Sequence, residues 1–195
     1  MNNELHKIMQ NIINIQKRKN DIQNITKSIM TQQLQYEFYN LNNDDDFNQI
    51  KTKYEKDIQN MMNGCFGKAE RSIKKDNGFW ILTKIEDKLV AGLLVDYARI
   101  IVTSLDKSVT KNVTGLWIWN VCRDTSPQYK EYGIGKATIK KALQYIKQKM
   151  PNFDIIYLLA SQTPISRTKF YESIGFQKTN YYDTHYNDPL MIYFL

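Results

Sequence analysis

Cysteine and histidine are scarce in this chain of 195 residues: it has only Cys65 and Cys122, His6 and His185. Two cysteines cannot build a disulfide framework, so the expected compartment is reducing and intracellular, the cytoplasm. Two histidines supply no clustered metal site, and no metal is expected. No apolar run approaches the ~18 residues that a membrane-crossing helix needs, so no membrane partner is expected. The opening Met1-Asn2-Asn3-Glu4 is not a basic region followed by an apolar stretch, which argues against a secretory leader. Residues 1–32 contain neither proline nor glycine, which excludes a flexible linker there.

What is present suits a core. The chain is 42% hydrophobic and 24% charged, with thirteen tyrosines, which fits one compact domain better than two. The formal charge of +7 favours anionic partners in general. Charge alone does not choose among nucleic acid, a phosphorylated cofactor and an acidic protein. Its placement says more: residues 120–150 hold seven basic side chains against two acidic ones.

Ile8, Ile15, Ile22 and Ile29 recur every seven residues, with Leu5 and Ile12 filling the offset, so residues 1–32 read as one long helix. Lys19 and Thr26 interrupt its second row. The helix is expected to lie along the domain by its isoleucine face, and a coiled coil joining a homodimer is the sharper alternative. Residues 33–195 read as a separate domain. Residues 35–41 alternate as a strand, and Asp44, Asp45 and Asp46 read as a helix start rather than a metal site, since no other carboxylates stand at ligand spacing. Residues 61–77 read as the end of that helix and a loop.

From Phe79 the pattern turns to strands: 79–85, a turn at 86–88, then 89–101 and 116–122, with a polar hairpin loop over 104–114. An amphipathic helix follows over 133–149, then a short apolar strand over 154–160 with the profile of one buried on both faces. A second helix over 164–174 is capped by Thr163 and closed by Gly175, and a last strand takes 190–195. Hairpins followed by a helix crossover imply a mixed α/β (α+β) fold: a mostly antiparallel sheet of six to seven strands flanked by helices.

The segment Lys130-Glu131-Tyr132-Gly133-Ile134-Gly135-Lys136-Ala137 lies between a strand and a helix. Glycines there let the backbone turn tightly and present bare N–H groups at the positive end of the helix dipole, a place that binds phosphate. The longer nucleotide fingerprints G-x-x-x-x-G-K-[ST] and G-x-G-x-x-G are absent.

Element order and three motifs resemble the GNAT family of N-acetyltransferases. The motifs are KEYGIG at 130–135 with Pro127 and Tyr129 upstream, FYESIGF at 170–176, and the hairpin KIEDKLVAG at 84–92. The likeness covers about 35–195. It implies the acyl-CoA N-acyltransferase fold and transfer of an acetyl group from acetyl-CoA, as cosubstrate, to an amine: small molecule, polyamine or protein amine. Attack is direct, within a ternary complex. The diphosphate of coenzyme A is then expected on Lys130, Tyr132, Gly133, Ile134, Gly135, Lys136 and Ala137, chiefly on backbone amides. The pantetheine arm is expected along Val121, Cys122 and Arg123, whose backbone polarises the thioester. Tyr171 is the expected acid for the departing thiolate.

Three departures from the family pattern stand out: Lys130 in place of Arg or Gln, a longer stretch from Cys122 to Pro127, and Pro164 where an Asn often contacts the arm. The strand over 116–122 also lacks the Glu that many members carry, leaving Asp124 or Tyr97 as bases. Cys122 reads as a small packed strand residue, and Trp117 and Trp119 as a wall of the core or of the acceptor pocket. Two other functions stay open: a coenzyme A-binding protein without turnover, and a nucleic-acid module using the basic helix. The absence of interleaved aromatic and basic surface motifs counts against the second.

Overall fold

A computed structural model describes residues 2–66, 73, 77–129, 132–162 and 167–195. A long helix, α1 (Asn2–Gln32), leads into strand β1 (Leu34–Asn40) and helix α2 (Asp44–Phe66). Strands β2 (Phe79–Ile85), β3 (Lys88–Ser104), β4 (Thr110–Ile118) and the two-residue β5 (Cys122–Arg123) follow. A 3-10 turn, Pro127–Tyr129, precedes helix α3 (Ile134–Lys149), strand β6 (Ile155–Leu159), helix α4 (Thr168–Glu172) and strands β7 (Gln177–Asp183) and β8 (Pro189–Phe194). The strands form one sheet in the order β1-β2-β3-β4-β6-β8-β7, with β5 also on β3. All described pairings are antiparallel except β4 with β6, which meet at Leu116↔Ile156 and Trp117↔Tyr157. The mixed, mostly antiparallel sheet flanked by helices is therefore as expected, with eight strands.

Strand alternation sends successive side chains to opposite faces, and each face has its own helix. Phe79, Ile81, Leu93, Val95, Leu116 and Ile118 pack under α3 through Ile139, Ala142, Leu143 and Ile146. Trp80, Leu82 and Leu89 pack on the other face under Ile50, Tyr54, Ile58 and Met62 of α2. The start of α2 is capped by Asn43, whose Oδ1 accepts the Asp46 amide at 3.0 Å, and the Asp46 carboxylate reaches back to accept the Asn40 amide at 2.9 Å. The three aspartates thus sit in the first turn, against the positive end of the helix dipole.

A polar clasp ties α2 to the sheet. Tyr39 and Tyr54 hydroxyls each donate to Glu37 Oε2 at 2.7 Å, and the buried Lys84 donates to Oε1 at 3.2 Å. Burial pushes the Glu37 carboxyl up, but the hydrogen bonds from Tyr39, Tyr54 and Lys84 outweigh it and hold it below its ordinary value.

Three expectations change. The isoleucine face of α1 is not laid against the domain: Ile12, Ile15 and Ile22 are 52%, 62% and 64% exposed. The polar stretch expected as a loop over 104–114 is mostly strand, since β3 and β4 stay paired from Val95↔Ile118 to Thr103↔Thr110. Both faces of that extension are largely exposed, so it carries no hydrophobic alternation to read. For the same reason the polar β7 (QKTNYYD), which pairs with β8 and with the far end of β3, carries no strand signal.

Leu93→Ala, at a fully buried position, should lower unfolding free energy by about 2–5 kcal/mol in urea titration, whereas Ile22→Ala on exposed α1 should stay within about 0.5 kcal/mol. A carboxyl whose pKa is lowered by folding stabilises above its unfolded value, near ~4.3 for Glu, and loses that stabilisation as pH falls through the folded value. The stability gap between wild type and Glu37→Gln should therefore be open at neutral pH and narrow on acidification below about pH 4.3.

Candidate active site

Across β3, Val95 faces Ile118 and Gly92 faces Cys122, so Leu93 and Leu94 oppose Trp119, Asn120 and Val121. One residue is extra: the strand expected to run unbroken over 116–122 carries a bulge, which bends it and ends its pairing. Pairing to β6 stops at Trp117↔Tyr157, while β6 itself continues to Leu159 against β8. A cleft opens between two parallel neighbours. The bulge also resets alternation, so that Val121 packs toward the α3 side and Cys122 toward the α2 side.

β5 keeps its place on β3. The Asp124 amide donates to Val90 O at 2.7 Å, which makes Ala91/Arg123 the pair without mutual hydrogen bonds. Arg123 N–H and C=O therefore face away from β3, toward the cleft. That carbonyl accepts the Cys65 thiol at 3.6 Å, and the Arg123 guanidinium donates to Asp124 O at 3.0 Å.

α3 begins soon after β5 and packs on β3 and β5. Gly133 holds φ 71° and ψ 18°, the left-handed region, and no side chain caps the helix. The first intrahelical bond is Ala137 N to Gly133 O at 2.9 Å, which leaves the amides of Ile134, Gly135 and Lys136 without helical partners. Ala137, expected among the phosphate ligands, has therefore already used its N–H. Among the described residues, a Cβ on Gly135 would meet Phe170 Cζ at 3.9 Å, an ordinary contact, so the first turn of α3 is not crowded at this position. Tyr132 is half-buried against Val90, Tyr129 and Ile134. The Lys136 ammonium is turned to α4, donating to Ser173 O at 2.6 Å and Oγ at 3.2 Å, so this residue offers its amide rather than its charge. Lys130, Thr163 and Pro164 lie outside the described residues.

Tyr171 comes from α4, its ring edge-on to Phe170 at 5.1 Å and to Phe176 at 5.9 Å. Burial pushes its phenol up to about 12, the charge of Arg167 working against this and that of Cys122 with it. The phenol is therefore protonated across the physiological range. Of the two expected bases, Asp124 is engaged: burial pushes its carboxyl up, but Ser126 and Lys88, the latter at 2.9 Å, hold it below its ordinary value. Tyr97 is 49% exposed, with its ring against Phe153. Trp117 belongs to the core: 1% exposed, it stacks on Tyr157 at 5.2 Å and donates its indole N–H to Ala98 O.

Two groups at the site have no counterpart in the sequence reading. Cys65, in the last turn of α2, meets Cys122, and Arg167 stands close enough to act electrostatically on both Cys65 and Tyr171. Nothing in their spacing marks them, because a helix end, a strand and the start of another helix meet here only through the bulge. On the α2 side a cavity of about 430 Å³ adjoins β5, lined by Asp57, Gly64, Lys88, Arg123 and Asp124 among others.

No family model matches the chain, and no curated protein matches it. Solved structures do. An acyl-CoA N-acyltransferase from Pseudomonas aeruginosa superposes with a TM-score of 0.55 at 12% identity, covering 82% of this chain and 98% of its own. The chain has the acyl-CoA N-acyltransferase fold. Escherichia coli ElaA (TM-score 0.53, 17% identity, 82% of this chain and 98% of that one) has the same fold. So does an acetyltransferase of the GNAT family from Staphylococcus aureus (0.52, 16%, 83% and 99%).

Gly133→Val forces a β-branched side chain into the left-handed region and should cost about 1–2 kcal/mol of stability in urea titration. Gly135→Ala, in helical conformation with space around it, should cost none.

Proposed function

We propose that the protein is an N-acetyltransferase that moves the acetyl group of acetyl-CoA to an amine by direct attack in a ternary complex. The observation that carries this reading is a juxtaposition. Three amides at the start of α3 without helical partners, the outward backbone of β5 and a protonated Tyr171 are read as facing the gap between β5 and β6. The amides of Ile134, Gly135 and Lys136, at the positive end of α3, suit a diphosphate. The outward N–H and C=O of Arg123 suit an amide-bearing arm lying as an added strand, and backbone donors beside it suit the oxygen of a thioester in attack. When bound, the cosubstrate supplies an activated acyl group and a thiol leaving group.

The remaining chemistry belongs to the chain. Tyr171 keeps its proton until a thiolate forms beside it and then donates. The acceptor must arrive as the neutral amine. Asp124, held by Lys88, is a weak base, so the acceptor's proton passes to solvent. That same weakness supports a second reading, a coenzyme A-binding protein without turnover: no carboxylate lies on residues 116–122, and Asp124, just beyond them, is engaged.

Thiol release from acetyl-CoA with a panel of amines, followed by mass spectrometry of the products, separates the two. The transferase reading predicts turnover that falls about 10²-fold in Tyr171→Phe with the affinity for coenzyme A unchanged. It also predicts a rate that climbs with pH as the acceptor deprotonates, with no loss from Tyr171 ionising below about pH 10. Thermal stabilisation by coenzyme A without any acylated amine would establish the second reading.

A further inference from the structure

The mechanism leaves two sulfur groups unused, and they are the only cysteines in the chain. Cys122 is 1% exposed, and its sulfur lies 3.3 Å from Met62 Sδ. Cys65 is half-buried, one turn after Met62 on α2, with its thiol on Arg123 O at 3.6 Å. Met62 and Arg123 therefore bracket the pair: Cys122 lies against Met62, three residues before Cys65 on α2, and Cys65 lies against Arg123, the residue after Cys122 on β5. A chain whose only two thiols stand 57 positions apart in sequence has brought them together. The extra residue of the bulge achieves this, since without it Cys122 would face α3 rather than α2.

We propose that Cys65 and Cys122 are an oxidant-responsive dithiol that closes to a disulfide at the wall of the cleft, with hydrogen peroxide as the reactant. The two cysteines have the division of labour that such chemistry requires. Cys65 is the accessible member, and the hydrogen bond from Cys122 outweighs burial, with help from Arg123 O and the charges of Arg167 and Arg123, to bring its thiol down to about 7. Cys122, buried against it, is the resolving member. The Cys65 thiolate attacks the O–O bond, forming an S–O bond and releasing hydroxide, which takes up a proton to become water. The Cys122 sulfur then attacks the Cys65 sulfur: the S–S bond forms, the S–O bond breaks, and the departing hydroxide leaves as water with the Cys122 proton. Two thiols are oxidised by two electrons and one peroxide is reduced to two waters. The bond pins the last turn of α2 to β5 and withdraws the thiol hydrogen from Arg123 O, a carbonyl on the cleft edge. This chemistry stands whether or not the protein transfers acyl groups, and its readout is the sulfur itself.

The test uses the reduced full-length chain, treated with hydrogen peroxide, unfolded in the presence of iodoacetamide, and examined by intact mass and peptide mapping. The expected result is a single chain lighter by two hydrogens, without alkylated cysteine, with Cys65 and Cys122 in one linked peptide pair that dithiothreitol releases. Cys122→Ser should stop at a sulfenic acid on Cys65 that dimedone traps, and Cys65→Ser should leave Cys122 reduced. In native wild-type protein, which needs no variant to fold, Cys65 should alkylate at least roughly tenfold faster than Cys122. Both thiols remaining alkylatable after peroxide would overturn the proposal, and so would a disulfide between two chains or a sulfinic acid on Cys65 beside an intact Cys122.

Discussion

One surplus residue between Ile118 and Cys122 sets the geometry of the whole site. A strand that continued in register would have carried β4 alongside β6, closed the sheet with a full parallel ladder, and left no opening. Instead two residues of β3 face three, the ladder to β6 ends at Trp117↔Tyr157, and β5 stays on β3 with Arg123 turned outward. The cleft, the free strand edge and the meeting of Cys122 with α2 all follow from that local mismatch. Bulges concentrate where a strand must be re-aimed, and here the re-aimed strand forms one wall of the site.

The opposite wall is held by packing. α3 is anchored through Ile134, Ile139, Ala142 and Ile146, all at most 2% exposed, and by the buried Thr138. The Thr138 hydroxyl donates to Ile134 O, so at its 2.7 Å contact with Thr83 it is the Thr83 hydroxyl that donates. The bond joins the first turn of the helix to β2. Lys136 joins that same turn to the end of α4. Amides preset in this way need little ordering when an anion arrives, which is the condition for their dipoles to act at full strength. The α2 side is held differently, by the Glu37 clasp with two tyrosines and a buried lysine, so the two faces of the sheet answer differently to acid.

Strands with a buried face, α3 with its apolar stripe, and the aspartates opening α2 were all legible in the sequence, because each writes its burial or its cap into a short window. β7 and the outer half of β4 were not: most of their side chains are polar and largely exposed, so burial writes little alternation into either segment. The glycine motif located the open amides, since a tight turn before a helix needs glycine at Gly133. Which neighbours would keep their N–H groups free was not legible; Ala137 bonds back to Gly133, and Lys136 leans to Ser173. Cys65 and Arg167 joined the site through tertiary folding alone. The isoleucine heptads foretold α1 as a helix but not that Ile12, Ile15 and Ile22 would be left exposed.

The central claim is that a diphosphate rests on the amides at the start of α3 that have no helical partner. Backbone amide NMR during titration with coenzyme A tests it most directly. The account predicts saturable shifts centred on Ile134, Gly135 and Lys136, extending to Arg123 along the strand edge, and absent with a pantetheine fragment lacking the diphosphate at the helix but not at Arg123. Saturable binding of coenzyme A that leaves those three amides unmoved would contradict it.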